Sequence, residues 1–461
     1  MIELIDTHCH VHYNAFDSDR EEVIDRASHA GVVSLIAIGA GDGIKSALDA
    51  VELADAHEGV YATVGIHPHD ASSCNEEAFL QIRELTKHPR VVGIGEIGLD
   101  YYQDRSPRNA QKEVFRKFLQ LAKELHLPVS IHNREAHQDL LEIIRSEGLG
   151  ERRGVMHCFS GDLNFAKACL DLDFLISIPG IVTFKNAQAL RDVVKQVRVE
   201  EMVIETDSPY LAPDPYRGKR NEPAYVIRVA EVIAQIKGLS VEDVGRITTR
   251  NARKLFRIGT QELEVKIAYP IRGSLYLNIT NKCTLACTFC PKFEDFMVKG
   301  HYLRLRRDPT FEEVLEAVGD PSPYKEVVFC GYGEPTLRLD MLKQVAHWLK
   351  EKGICVRLNT DGLGNLVHKR NILPELSKLI DTVSVSLNAQ DPETYAKICP
   401  SKHGEKAYLE VKEFIREAKQ HIPEVIATAV TYPRVDIERC REIVEKELGA
   451  RFRAREYNEV G

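Results

Sequence analysis

The chain has 461 residues, too many for one ordinary domain, so two or three are expected. With 44% hydrophobic and 28% charged residues it has a globular composition, and its longest apolar runs are strand-length, which excludes a transmembrane helix. The net charge of −8 comes from the first 260 residues, the remainder being balanced; that argues against a broad sequence-independent grip on nucleic acid but not against a nuclease whose bound metals supply local positive charge.

In chain order, Met1-Ile2-Glu3-Leu4-Ile5-Asp6 has no basic region followed by an apolar stretch, so no signal peptide is expected and the location is expected to be cytoplasmic. Eleven cysteines in such a chain read as reduced thiols, with Cys9, Cys74, Cys158, Cys169, Cys330, Cys355, Cys399 and Cys440 expected to be inert and buried. Eight short apolar runs precede residue 210: Leu4–His8, Ser34–Ile38, Tyr61–Ile66, Val91–Glu96, Pro128–His132, Gly154–His157, Phe174–Ile178 and Met202–Glu205. Amphipathic stretches such as Ala110–Leu125 and Ala187–Val197 lie between them. Strands alternating with helices predict parallel βαβ units, and eight units in about 250 residues predict a (β/α)8 TIM barrel.

The ends of those strands carry the chemistry. Strand one ends in Asp6-Thr7-His8-Cys9-His10, where His8 and His10 are two apart and share a face. Strand four ends in Glu96, five in His132 and six in His157, and strand eight runs into Asp207. C-terminal strand ends converge on one face of a parallel barrel. Four imidazoles and two carboxylates there point to a divalent-metal site, read as binuclear, that would accept Zn, Mn, Mg or Fe. His67 and Arg134 share the rim and are candidates to contact phosphate or to serve as structural hydrogen-bonders. The basic segment at 216–223 is a candidate grip on a substrate backbone, with a solvated loop as the alternative.

Residues 1–258 resemble the TatD family of metal-dependent hydrolases, within the amidohydrolase superfamily. The motifs are Asp-Thr-His-Cys-His, Gly-Ile-His-Pro-His at 65–69, Gly-Glu-Ile-Gly-Leu-Asp-Tyr at 95–101, Ile-His-Asn-Arg at 131–134, His-Cys-Phe-Ser-Gly at 157–161 and Glu-Thr-Asp-Ser-Pro-Tyr-Leu at 205–211. The resemblance implies that His8, His10 and Asp207 hold one metal, His132 and His157 the other, and Glu96 bridges. It also implies a water activated between the metals that attacks phosphorus, with Asp207 shuttling its proton.

Helical patterning ends near Phe256, and residues 259–273 read as a linker. Six further strand runs follow, Ser274–Ile279, Glu326–Phe329, Cys355–Asn359, Thr382–Leu387, Val425–Val430 and Phe452–Tyr457, predicting an open (βα)6 partial TIM barrel over 274–461. Between the first two lie Cys283, Cys287 and Cys290, in Cys-Thr-Leu-Ala-Cys-Thr-Phe-Cys. Three thiolates can ligate three irons of a four-iron cluster and leave the fourth iron open to a substrate. A zinc site would want a fourth nearby ligand, for which His301 and Cys330 are poorly placed.

This spacing resembles the radical S-adenosylmethionine (SAM) superfamily, as does Gly331-Tyr332-Gly333-Glu334-Pro335 after an apolar strand, which departs from that family's GGEP-like motif only at Tyr332. The resemblance implies a [4Fe-4S] cluster and SAM contacts from Gly331, Gly333, Glu334, Pro335, Asn359, Asp361, Ser386 and Asn388. The whole chain resembles the fusions called TatD family nuclease-associated radical SAM proteins. That implies a two-metal phosphodiesterase of the 3′-to-5′ deoxyribonuclease type joined to an enzyme that cleaves SAM reductively. Implied partners are a DNA or nucleotide substrate and a reductase such as flavodoxin or ferredoxin, with no membrane; oligomeric state is not legible. The alternatives are an amide or small-phosphoester hydrolase with the cluster domain acting on a small metabolite, or a cluster domain that only binds SAM or senses redox state.

Overall fold

A computed structural model describes residues 2–149, 153–259 and 264–457. The chain divides into two compact units, Met1–Glu262 and Leu263–Gly461.

The first unit is an eight-stranded parallel barrel. Its strands are β1 (Leu4–Cys9), β2 (Val32–Gly39), β3 (Val60–Val64), β4 (Val91–Asp100), β5 (Val129–Arg134), β6 (Gly154–Met156), β7 (Phe174–Ile178) and β8 (Met202–Ile204), paired in chain order. They read as apolar runs because a parallel strand is covered on both faces, and all ten residues of β4 are buried. The barrel closes just past β8, where Cys9 and Ser208 form a parallel bridge. There His10 N donates to Ser208 O at 2.7 Å, and Asp207 N donates to His8 O at 2.9 Å.

The surrounding helices bury one face each. Arg108–Leu125 packs Phe115, Phe118, Leu119 and Ala122 inward. Val241–Phe256 starts at Ser240 with a reciprocal cap to Asp243, and its Asn251 amide donates to Val199 O and Met202 O at 3.1 and 2.7 Å. Strand four does not end at Glu96, as the sequence suggests. It continues to Asp100, and its register on β5 shifts between Gly95 and Ile97. Glu96 is the extra residue of that bulge, a device that re-aims a side chain.

The second unit holds a seven-stranded sheet: β9 (Ala268–Ile271), β10 (Ser274–Leu277), β13 (Val327–Phe329), β14 (Val356–Thr360), β15 (Thr382–Ser386), β16 (Glu424–Thr431) and β17 (Arg451–Glu456). A separate hairpin pairs β11 (Met297–Val298) with β12 (His301–Tyr302). From β10 to β17 the six sheet strands are parallel and match the six sequence runs. The expected linker at 259–273 needs correction. Its residues 260–263 lie outside the described residues, but Ala268–Ile271 is a strand, antiparallel to β10. The two join through Arg272 and Gly273, both at positive φ (52° and 75°), as a two-residue hairpin turn requires. No helix of the described residues is long and apolar enough to cross a membrane.

Candidate active sites in the two barrels

In the first barrel all six expected metal ligands meet at the C-terminal strand ends. Glu96, 4% exposed, is the hub. Its Oε1 is 2.6 Å from His132 Nδ1 and 3.5 Å from both His67 Nε2 and His157 Nε2, and its Oε2 is 3.6 Å from His8 Nε2. Asp207 Oδ1 is 3.5 Å from His10 Nε2 and 3.7 Å from His8 Nε2. His8, His10 and Asp207 therefore form one three-donor group, as expected for one metal. The other expected grouping is split. His157 joins His8 and Glu96, whereas His132 joins Glu96 and His67. His67, expected as a phosphate contact, thus sits among the donors around Glu96.

Polar neighbours fix these rings. His157 Nδ1 is 2.9 Å from Glu205, His132 Nε2 is 3.1 Å from Asp100, and His10 Nδ1 is 3.2 Å from Ile38 O. Such partners orient metal-ligating imidazoles and select their tautomer. Sequence reasoning missed Asp100 and Glu205, although both lie within motifs that it quoted. His69 Nε2 also reaches Asp100, at 2.9 Å.

The electrostatics diverge ring by ring. Burial and the neighbouring His157 push the pKa of His8 well below the usual imidazole range. Burial opposes charge on His157 too, but Glu205 and Glu96 outweigh it and lift its pKa to about 10. Burial likewise works against Glu96, yet the imidazoles of His67 and His157 hold its carboxyl well below the ordinary range. Both nitrogens of His8 are buried without a hydrogen bond, and its ring stacks on His157 at 3.4 Å. A neutral imidazole with a free ring nitrogen beside carboxylates is the donor chemistry that a divalent ion takes.

Arg134 is exposed at the rim with its guanidinium 4.0 Å over the Tyr102 ring. Two basic residues of the 216–223 segment are engaged elsewhere. Arg220 donates to both Asp19 oxygens at 2.7 Å, and Arg217 lies 4.0 Å over Phe184.

In the second barrel the three cysteines lie in the loop after β10. The loop is pinned by Ala286 N to Pro400 O at 2.8 Å, Thr288 N to Ile398 O at 2.9 Å, and the Thr284 hydroxyl to Asp361. Cys283, Cys287 and Cys290 open onto a cavity of about 220 Å³. Gly331, Gly333, Glu334, Asn359 and Asp361 line it, as do Ser386 and Asn388. Pro335 is buried at the start of the short turn Pro335–Arg338 and is not among the residues that line the cavity.

Two glycines are fixed by close approach. A Cβ on Gly333 would stand 2.1 Å from Thr280 O, and one on Gly331 would stand 2.4 Å from Asn278 Oδ1. Tyr332 tolerates its place because its ring packs near Phe296 and its hydroxyl donates to Met297 O. Glu334 accepts from Thr336 N at 3.0 Å, the Thr360 hydroxyl at 2.8 Å and Asp361 N at 2.7 Å, tying the ends of β13 and β14 together.

Burial pushes the Cys283 thiol up to about 12, and a hydrogen bond with Cys399 raises Cys287. Metal coordination is what ionises such thiols. The cavity-facing Oδ1 atoms of Asn359 and Asn388 are buried without partners, as suits a polar ligand. Of the cysteines expected to be buried and inert, Cys355 is exposed and Cys330 lines this cavity.

Known proteins divide the chain at the same place. The family model described as TatD related DNase matches residues 5–257, and that of the radical SAM superfamily matches 277–446. An uncharacterized metal-dependent hydrolase of Bacillus subtilis, YabD, is 46% identical over 255 residues, covering 55% of this chain and 99% of that protein. The Musicola paradisiaca protein named 3′-5′ ssDNA/RNA exonuclease TatD is 35% identical, covering 53% of this chain and 94% of its own. Among solved structures, the TatD homolog YJJV of Escherichia coli superposes with a TM-score of 0.53 at 29% identity, over 56% of this chain and 98% of that one. The chain belongs to the TatD-related DNase family of metal-dependent hydrolases and carries a radical SAM domain after the hydrolase barrel.

Proposed function

We propose that the first barrel hydrolyses phosphodiesters as a 3′-to-5′ deoxyribonuclease, and that the second cleaves SAM reductively to start radical chemistry on a separate substrate. The observation that carries the nuclease reading is the Glu96 carboxylate, within 3.6 Å of a nitrogen on each of His8, His67, His132 and His157, with Asp207 beside His8 and His10. The 35% identity to a protein named as a 3′-5′ exonuclease supports the choice of bond and direction.

His8, His10 and Asp207 would hold one divalent ion, and Glu96 with His132 and His157 the other. Bound there, the ions supply Lewis acidity to the phosphoryl group and acidify water. Asp207 is placed to take a proton at its carboxylate, Glu205 and Asp100 keep His157 and His132 aimed inward, and Arg134 offers its planar fork to a phosphate at the rim.

In the second barrel Cys283, Cys287 and Cys290 would hold a [4Fe-4S] cluster, which supplies the electron for SAM cleavage. Glu334 and the cavity-facing Asn359, Asp361, Ser386 and Asn388 would seat SAM beside it, and a flavodoxin- or ferredoxin-like protein would reduce it.

The nuclease reading is tested with purified protein given Zn, Mn or Mg and 3′- or 5′-labelled oligonucleotides. Shortening from the 3′ end, lost in Glu96→Ala, is expected; no cleavage of DNA under any of these ions ends it. The radical reading is tested by anaerobic reconstitution with iron and sulfide, then SAM and dithionite. 5′-Deoxyadenosine above a Cys283→Ala control is expected, and its absence ends the reading.

A further inference from the structure

The cysteine loop of the second barrel faces a fourth thiol. Ala286 N donates to Pro400 O at 2.8 Å and Thr288 N donates to Ile398 O at 2.9 Å, so residues 286–288 and 398–400 run antiparallel. Each bond stands where an antiparallel ladder has a hydrogen-bonded pair, which leaves Cys287 and Cys399 as the facing residues between them. Facing residues of that kind stand about 4.5 Å apart at Cα, inside the roughly 4.4–6.8 Å that a disulfide spans.

The two side chains meet. Cys287 and Cys399 share a hydrogen bond, and Asn388 Nδ2 donates to Cys399 Sγ at 3.7 Å. Cys399 is fully buried in the core of the second unit, whereas Cys287 is partly exposed and lines the cavity. An oxidant arriving through the cavity therefore acts first on Cys287, and Cys399 is the thiol in reach to close on the product. That is the arrangement of an oxidised cysteine and its resolving partner. The Cys399 contact and burial keep Cys287 a thiol, which slows the attack. The geometry fixes the partner with which Cys287 closes, not the rate.

We infer that Cys287 and Cys399 form an oxidation site in the cluster-free chain, closed by peroxide to a disulfide and reopened by a dithiol. Peroxide first converts the Cys287 thiol to a sulfenic acid and releases one water. The Cys399 sulfur then displaces hydroxide, which leaves with the Cys399 proton as a second water, and the S–S bond forms. Two thiols lose two electrons, and one peroxide gains them. The closed form takes one of the three iron ligands out of use but keeps it from irreversible sulfinic and sulfonic acids. That consequence rests on the cluster reading; the thiol pair itself does not.

The cluster-free full-length protein is reduced, freed of reductant anaerobically and exposed to a small excess of hydrogen peroxide. It is then digested with trypsin and read by mass spectrometry. Residues 283–292 and 398–402 fall in separate tryptic peptides, so a Cys287–Cys399 bond joins them, and fragmentation places the bond. That cross-link, lost on treatment with dithiothreitol, is expected. In Cys399→Ser, sulfinic and sulfonic acid at Cys287 is expected to rise at least fivefold over wild type, while Cys283 and Cys290 in the same peptide change less than twofold. Cys440→Ser, which removes another buried thiol, is expected to match wild type. Absence of the cross-link, or closure of Cys287 with Cys290 in its place, overturns the inference. So does equal overoxidation of Cys287 in wild type and Cys399→Ser. If Cys399→Ser does not fold by circular dichroism, the wild-type cross-link decides alone. A cross-link in protein that takes up no iron after reduction supports the thiol pair and removes only its consequence for the cluster.

Discussion

Asp207 donates its backbone N–H to the carbonyl of His8 at 2.9 Å, so the contact that closes the first barrel is made by two of its candidate metal ligands. Barrel closure and the candidate metal site therefore share this contact. Asp207 holds φ 57°, a left-handed conformation that Asp and Asn tolerate best. Asp207→Asn keeps that backbone and removes the charge. It is expected to leave the Tm within about 2 °C while hydrolysis falls about 10²- to 10⁴-fold. Melting and turnover measured on one preparation check this; a large drop in Tm would assign Asp207 to the fold instead of the chemistry.

Glu205 is not one of the six expected metal ligands. It lies 2.9 Å from His157 Nδ1 and accepts from Cys158 N at 2.8 Å. Glu205→Gln keeps the shape and removes the charge that holds His157. Metal affinity or activity is expected to fall about 10- to 100-fold. Metal titration followed by chelator competition reads this directly; unchanged affinity with unchanged rate would leave Glu205 a structural hydrogen-bonder only.

The strand positions were legible because parallel strands bury both faces and leave apolar runs, and β7 falls on the predicted residues, Phe174–Ile178. β9 was not legible. Its Ala268-Tyr269-Pro270-Ile271 contains a proline, which argues against a strand unless the strand lies at an edge, and β9 is an edge. The metal ligands stood out as His and Asp at strand ends. Asp100 and Glu205 did not, because an acid that orients a ring has no spacing rule of its own. The pairing of His67 with Glu96 depends on the bulge in β4, which no residue pattern marks.

Gly333 ties the cavity of the second barrel to the cysteine loop. Its missing Cβ leaves room for Thr280 O and Lys282 O, which would stand 2.1 and 2.6 Å from a methyl. Both obstacles are backbone, so Gly333→Ala must displace the loop that begins at Asn281. Reconstituted iron is expected to fall by more than half, and SAM binding to be lost, while oligonucleotide hydrolysis by the first barrel is retained. Iron assay and SAM dialysis test it; full iron content and normal SAM affinity would show that the loop yields without consequence.

Tyr102 and Tyr210 are 57% and 54% exposed, and Tyr210 lies 6.3 Å from the His10 ring, centroid to centroid. Large aromatic faces left in solvent beside the proposed phosphodiesterase site suit the stacking of an unpaired base. Stacking contributes about 1–3 kcal/mol per base, whatever its identity. Tyr210→Ala is therefore expected to raise KM for single-stranded DNA about 5- to 150-fold. The rate on a small phosphodiester with no base, such as bis(p-nitrophenyl) phosphate, should stay within about twofold, because a surface truncation costs the fold little. Equal losses on both substrates would mean that Tyr210 supports Asp207, whose backbone carbonyl its own N–H contacts at 2.9 Å, and that the bases are held elsewhere.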